Sequence, residues 1–291
     1  MKLSLSFYID KLLSIICWMG LAVGLWIGIQ VFCFTSFTIP SPSMEPVLVP
    51  GDRVVVNKMI PGARLFDLFS SLRGEQVPVY RMPGIGKLKR NDVIVFHFPH
   101  PHTWDKLEMH ILKYYIKRCI GLPGDSLRID NGRYQIKETD EYLGNRKGQE
   151  ELAGRCEKSF SGEILTAFPH DSLFNWTILN FGPLYLPKAG DSIPLTRPNY
   201  IIYKQAIEWE LQKSLDWRDS VCLLQGAPLP GYRFRKNYYF VAGDKATDSQ
   251  DSRYWGVLPE DFIVGKAWLI WKSVDPYTGE TNGRRFLKRI D

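Results

Sequence analysis

The 291-residue sequence predicts a mainly β protein with one helical insert, carried behind a single amino-terminal transmembrane helix. Three observations predict it. An uncharged apolar run fills Leu12–Phe34. Short runs rich in β-branched and aromatic residues follow, punctuated by Gly, Pro and Asn turns. Only one later stretch, residues 199–216, has helical periodicity.

The first element is the apolar run. Residues 12 to 44 carry no charge, and as a helix Leu12–Phe34 spans ~34 Å against a hydrocarbon core of about 30 Å. Trp18 and Trp26 lie within it, and Lys2 and Lys11 flank its start. A cleaved leader has an apolar core of only about 7–15 residues and a small-x-small cleavage site. This run is longer and ends in Phe-Thr-Ser-Phe-Thr-Ile-Pro, so a retained anchor over 12–36 is expected. The leading lysines favour a cytoplasmic segment 1–11 with the remaining chain outside.

Thr38 to Pro46 comes next. Pro40, Pro42 and Pro46 each fix φ near −65° and push the residue before them toward extended geometry. Ser41 and Ser43 therefore sit on a stiff segment at the mouth of the anchor. Strands follow at Arg53–Val56, Asp92–Phe98, Tyr114–Ile120 and Ser126–Ile129, the last leading into the hairpin signal Asp130-Asn131-Gly132. Residues 60–90 are irregular, and Leu65, Phe66, Leu68 and Phe69 there are expected in the core, the alternative being an apolar lip in the bilayer interface. Residues 138–236 read as a polar, loop-rich insertion. Its one clear helix, about 199–216, carries the stripe Ile202, Ala206, Ile207, Leu211 and Leu215. Tyr238–Ala242 and Phe262–Trp271 return to strand, giving a β domain over 37–137 and 237–291.

Composition excludes some classes. A net charge of +6 without blocks of like charge gives no nucleic-acid footprint; next to an anchor it suits anionic lipid. His97, His100, His102 and His110 lack ligand spacing and are expected in a solvent loop, with no metal. Gly84-Ile85-Gly86-Lys87 lacks the spacing of a phosphate loop. In a domain outside the cytoplasm Cys156 and Cys222 are the candidate pair.

Four segments now stand in order: SPSMEPVL, GDRVVVNK, YYIKRCIGLPGD and GDKATDSQDSRYWGVLPEDFIVGKA. Together, behind an anchor, they resemble the bacterial type I signal peptidases of the Ser/Lys kind. The resemblance covers the anchor and residues 38–129 and 238–272, not the insertion. It implies a signal-peptidase-like β domain, no cofactor, and a single-pass protein of the bacterial inner membrane with its catalytic domain on the periplasmic face. The implied partners are preproteins whose signal peptides end in Ala-x-Ala, and membrane lipid. Ser43 matches the nucleophile, Lys117 the general base, Ser41 the oxyanion-hole hydroxyl and Ser249 the hydroxyl that orients the base. Asp251 and Arg253 match a structural ion pair. Ile39, Pro40, Met44, Leu48, Tyr115 and Ile116 match the pocket for small residues at −1 and −3.

Physical chemistry fits those roles. A serine hydroxyl is a poor nucleophile until a neighbouring base takes its proton, and no histidine here occupies a comparable motif. Lysine in water, with a pKa near 10.4, is no base at pH 7, but burial disfavours its charged form. Bringing it to about 7 takes about 4 kcal/mol of differential destabilisation. Tyr115, Ile116, Cys119 and Ile120 supply apolar surroundings for Lys117, and alternation along the strand turns Arg118 to the other side. From Phe34 to Ser43 the chain reaches at most ~30 Å, so the target bond lies just outside a membrane segment.

The last segment departs from the family pattern GDNRDNSxDSR, carrying Lys245-Ala246-Thr247-Asp248 instead of Asn-Arg-Asp-Asn. That puts the rigidity of this loop in question. It keeps two alternatives open: a Ser/Lys peptidase dedicated to a narrow substrate, and an inactive anchored scaffold that binds signal sequences.

Overall fold

The computed structural model describes residues 5–73, 75, 77–137, 139–155 and 160–290. Its frame is an eight-stranded antiparallel sheet built from β1 (Phe34–Thr38), β2 (Asp52–Asn57), β3 (Val93–His97), β4 (Tyr114–Gly121), β5 (Tyr238–Ala242), β6 (Leu258–Pro259), β7 (Ile263–Ser273) and β8 (Lys288–Arg289). The order is β1-β2-β7-β3-β4-β5-β6, with β8 also paired to β7. The chain's two arms therefore interleave: β7, from the carboxy-terminal arm, lies between β2 and β3.

Helix α1 (Leu5–Phe32) contains an apolar stretch, Ile9–Phe32, long enough to cross a membrane, and none of that stretch's apolar window is buried among the described residues. It ends earlier than the 36 expected. Phe34–Ser36 belong to β1, where Phe34 pairs with Asn57 and Ser36 with Val55. Lys58 explains the stop. Its Nζ donates to Gln30 O at 2.8 Å and its N–H to Cys33 O at 2.8 Å, so a cation and an amide take the carbonyls a helix end leaves open.

Alternation governs burial in β2: Asp52, Val54 and Val56 are buried and Arg53 is exposed. On β4 every residue from Ile116 onward is buried, because both faces are covered. Ile116 joins a core with Ile39, Met44, Val54 and Val56, whereas Cys119 joins another with Phe96, Trp255 and Phe262.

The insertion is more ordered than its polar sequence suggests. Strand Ser126–Asp130 lies between Arg133–Ile136 and Phe181–Tyr185, and the expected hairpin turn forms at Asn131 and Gly132, both with positive φ. Phe181, Tyr200, Tyr203, Phe234 and Tyr238 make an aromatic core continuous with Ile120 and Phe240 of the main sheet. Two helices matter below, α2 (Arg146–Ala153) and α3 (Arg197–Leu211). The helix expected to reach 216 stops at Leu211, since Gln212 is left-handed (φ 53°). Leu215 stays buried, but on a strand that turns at Asp219-Ser220 and pairs with Val221–Leu224.

Two further expectations change. Leu65, Leu68 and Phe69 are exposed, Phe69 to 74%, and Phe66 is half-buried, so the core reading fails for three of these four side chains. Arg64 and Arg81 hold this segment by donating to the carbonyls of Asp261 and Ile263. His97 and His100 are buried rather than in a solvent loop: His97 Nε2 meets Arg64 Nη2 at 2.8 Å, and His100 stacks on Trp104. Cys222 is buried with a free thiol, while Cys156 lies outside the described residues.

Candidate active site

Ser43 sits in a single 3₁₀ turn, Pro42–Met44, entered from an extended Ser41 and closed by Glu45 N–H donating to Pro42 O at 2.9 Å. Proline suits the first position of such a turn, where no N–H is needed. The turn is pinned because Met44 and Leu48 are fully buried against the β2 valines. Ser41 Oγ lies 3.3 Å from Ser43 Oγ.

From β4, Lys117 Nζ reaches Ser43 Oγ at 2.5 Å. Lys117 is 4% exposed, and burial pushes its pKa down from 10.5 to about 8. The negative charge of Asp251 works against that fall, and the positive charge of Arg253 works with it. A lysine in this state donates to the hydroxyl when charged and accepts its proton when neutral.

The segment Gly243–Arg253 closes over the pair. A Cβ at Gly243 would lie 2.6 Å from Ser43 O and 2.2 Å from Ser249 Oγ, so only glycine allows this approach. Lys245 N–H donates to Ser43 O at 3.1 Å. Asp251 organises the turn by accepting from Gly243 N–H at 3.0 Å and from Ser249 Oγ at 2.7 Å. Ser249 thus donates to Asp251, and among the hydrogen bonds of the described residues it makes none to Lys117. Arg253 completes a two-pronged pair, Nε and Nη2 each 2.8 Å from an Asp251 oxygen, with both side chains fully buried. Burial alone would raise the Asp251 pKa; the Arg253 charge and the hydrogen bonds outweigh it and hold the carboxyl below its usual range. Arg118, next to Lys117, makes a second buried two-pronged pair with Asp244, both contacts 2.7 Å.

The altered loop is held on both sides. Lys245 Nζ pairs with Glu45 at 3.0 Å, two residues after Ser43. Ala246 packs with Leu152, Ile178 and Leu179 of the insertion, and Thr247 Oγ1 donates to Glu151 at 3.1 Å. A Cβ on Gly148 of α2 would meet Asp244 O at 2.0 Å, so the helix seats directly on the loop. Reading residues alone gave no reason to single out Gly148 or Glu45. Gly243 and Asp244 were in the quoted motif without a role.

A cleft of about 530 Å³ is lined by Phe37 and Tyr114, by Ser43 and Lys117, and by Asp248 and Gln250. Four of the expected pocket residues, Ile39, Pro40, Tyr115 and Ile116, line it. Met44 and Leu48 lie in the core beneath and support the wall without forming it.

An antiparallel β frame that closes a buried lysine onto a serine hydroxyl, at one end of an open cleft, has the architecture of a hydrolase. The chain belongs to the signal peptidase family, peptidase S26, whose family model matches residues 12–272, and it is accordingly a serine endopeptidase. It is similar to signal peptidase I of Buchnera aphidicola subsp. Schizaphis graminum, with 28% identity over 263 residues, 90% of this chain and 75% of that one. Signal peptidase I of Pseudomonas aeruginosa is 28% identical over 255 residues, 84% and 67% of the two chains. That of Aquifex aeolicus is 26% identical over 260 residues, 84% and 78%.

Proposed function

We propose that this chain removes signal peptides from exported preproteins, with Ser43 as nucleophile and neutral Lys117 as general base. The observation that carries the reading is the 2.5 Å contact between Ser43 Oγ and a buried lysine whose pKa has fallen to about 8.

Neutral Lys117 takes the Ser43 proton as Oγ attacks the scissile carbonyl, and the carbonyl π electrons move onto oxygen. Ser41 Oγ and the Ser43 N–H stabilise that oxyanion, each such donor being worth ~3–4 kcal/mol. Collapse expels the amine of the mature chain, which takes the proton from Lys117. Lysine, neutral again, then deprotonates a water that attacks the acyl-enzyme, and Ser43 recovers its proton. Ser249, Asp251 and Arg253 act as positioning residues, holding the Gly243 turn against Ser43. Ile39, Pro40, Tyr115 and Ile116, backed by Met44 and Leu48, select small residues at −1 and −3, as in an Ala-x-Ala site.

Helix α1 anchors the protein in the bacterial inner membrane as a single span, with the sheet on the periplasmic face. Continuity from α1 through β1 to Ser43 supports this, since it keeps the nucleophile close to the membrane surface. Residues 37–137 and 237–291 form the catalytic domain, and 138–236 buttress its loop. The exposed side chains of Leu65, Leu68 and Phe69 support contact with lipid.

The test is cleavage of a preprotein with Ala at −1 and −3 by the detergent-solubilised chain. Cleavage at that bond, lost in Ser43→Ala and Lys117→Ala, is expected. Equal cleavage by all three proteins, or none by the parent, overturns the reading.

A further inference from the structure

Beyond the rim at Asp248–Gln250 a second depression opens, of about 600 Å³, walled by Trp104, Ile164, His170 and Tyr254. Asp248 and Gln250 line both spaces, so the depression adjoins the catalytic cleft that holds Ser43. Its walls are fixed before any ligand arrives. His170 Nε2 bonds Tyr254 O at 2.9 Å, Tyr254 OH donates to Ile164 O at 3.0 Å, and Trp104 packs on His100 and Phe98. Yet Trp104 and Ile164 leave 46% and 49% of their surface to solvent. Ile164, His170 and Trp104 lie outside the segments that carry the family motifs.

Direction follows from the cleft itself. Phe37, packed on Tyr114, lies on the strand that leaves α1 and lines the cleft, and Asp248 and Gln250 form the rim it shares with the depression. A substrate still attached to its own membrane segment enters beside α1. Residues before the scissile bond then lie along Phe37 to Ser41, and residues after it cross the rim.

We propose that this depression binds the mature side of the substrate, seating an apolar or aromatic side chain among the first residues after the cut. Asp248 is the only carboxylate among the described residues lining either space, so an acidic residue crossing the rim is disfavoured. The proposal rests on the peptidase reading for its substrate.

The test uses the full-length Ser43→Ala chain in detergent, which binds without cutting, and fluorescent peptides identical up to −1. Each of positions +2 to +5 carries Trp, Gly or Asp in turn. At one position Trp is expected to bind about five- to tenfold more tightly than Gly, with Asp weakest. Ile164→Asp and Trp104→Ala should close that gap to within about twofold, while Ile85→Asp, on a distant exposed site, leaves it open. Ile164 is half exposed, so its variant keeps the fold. No preference at any position, or a preference that survives both wall variants, overturns the subsite. A preference lost in the wall variants supports it even if the parent cuts no preprotein, a result that would sink the peptidase reading alone. With an active parent, the gain should appear in KM and not in kcat.

Discussion

Lys117 and Arg253 are both sealed from water within one site, and burial disfavours the charge of each, yet their pKa values move in opposite directions. Lys117 faces a neutral hydroxyl, with no carboxylate within ion-pair distance among the described residues, and its proton is loosened. Arg253 suffers the same desolvation, but Asp251 grips it with two contacts of 2.8 Å and its pKa rises instead. Pairing, not depth, decides whether a buried cation can serve as a base. The site holds both outcomes: one cation kept charged beside Asp251, and one without a carboxylate in ion-pair reach among the described residues, as the proposed base requires.

The largest effect that tests this contrast is on turnover. Ser43→Ala and Lys117→Ala should each lower kcat by at least about 10⁴-fold, read by quenched-peptide cleavage. A residual rate near the parent's for Lys117→Ala would mean the unpaired cation is not the base.

Stability is the next way to break the comparison. Removing Asp251 strands a buried charge, so Asp251→Asn should cost about 3–5 kcal/mol in urea unfolding. Lys117→Met should do the reverse. The fall from 10.5 to about 8 corresponds to about 3 kcal/mol of strain in the folded state, which methionine removes. The unfolded chain holds this proton more tightly than the folded one. The penalty is therefore full below pH 8, shrinks as pH rises through the folded value, and vanishes above about 10.5. The advantage of Lys117→Met over the parent should follow that window, and a gain that grew toward pH 10 would contradict it.

The same protonation should shape the rate. With Lys117 needed neutral, kcat/KM should rise about tenfold per pH unit up to about 8 and then level off. A flat profile between pH 6 and 8 would count against a lysine base. The smallest effect concerns the half-exposed pair Lys245–Glu45: Lys245→Ala should cost under about 1 kcal/mol, with the loss fading in high salt.

Much of the fold was legible because its signals are local. β2, β3, β4, β5 and β7 each carry β-branched or aromatic runs between breakers, and the Asn131-Gly132 hairpin announces itself in two residues. The misreadings came where a distant partner decides. Leu65, Leu68 and Phe69 look like core by composition, but they stay exposed among the described residues. His97 and His100 look like loop residues, but Arg64, on another segment, meets His97, and Trp104 folds back onto His100. Phe34 looked like anchor until β2 offered it a ladder.

By itself the sequence determined the apolar helix and the strand content, and it supplied the serines and lysine proposed for the site, because apolar length, alternation and residue type are properties of short stretches. Only the tertiary structure decided how those residues act. It set Lys117 against Ser43 across 74 positions of chain, turned Ser249 toward Asp251, and seated Gly148 under the loop that holds Ser43. The physical reason is that a pKa, a clash or an ion pair depends on what surrounds an atom. Those surroundings come from strands far apart in the chain, β4 and β5 above all, which the antiparallel sheet makes neighbours.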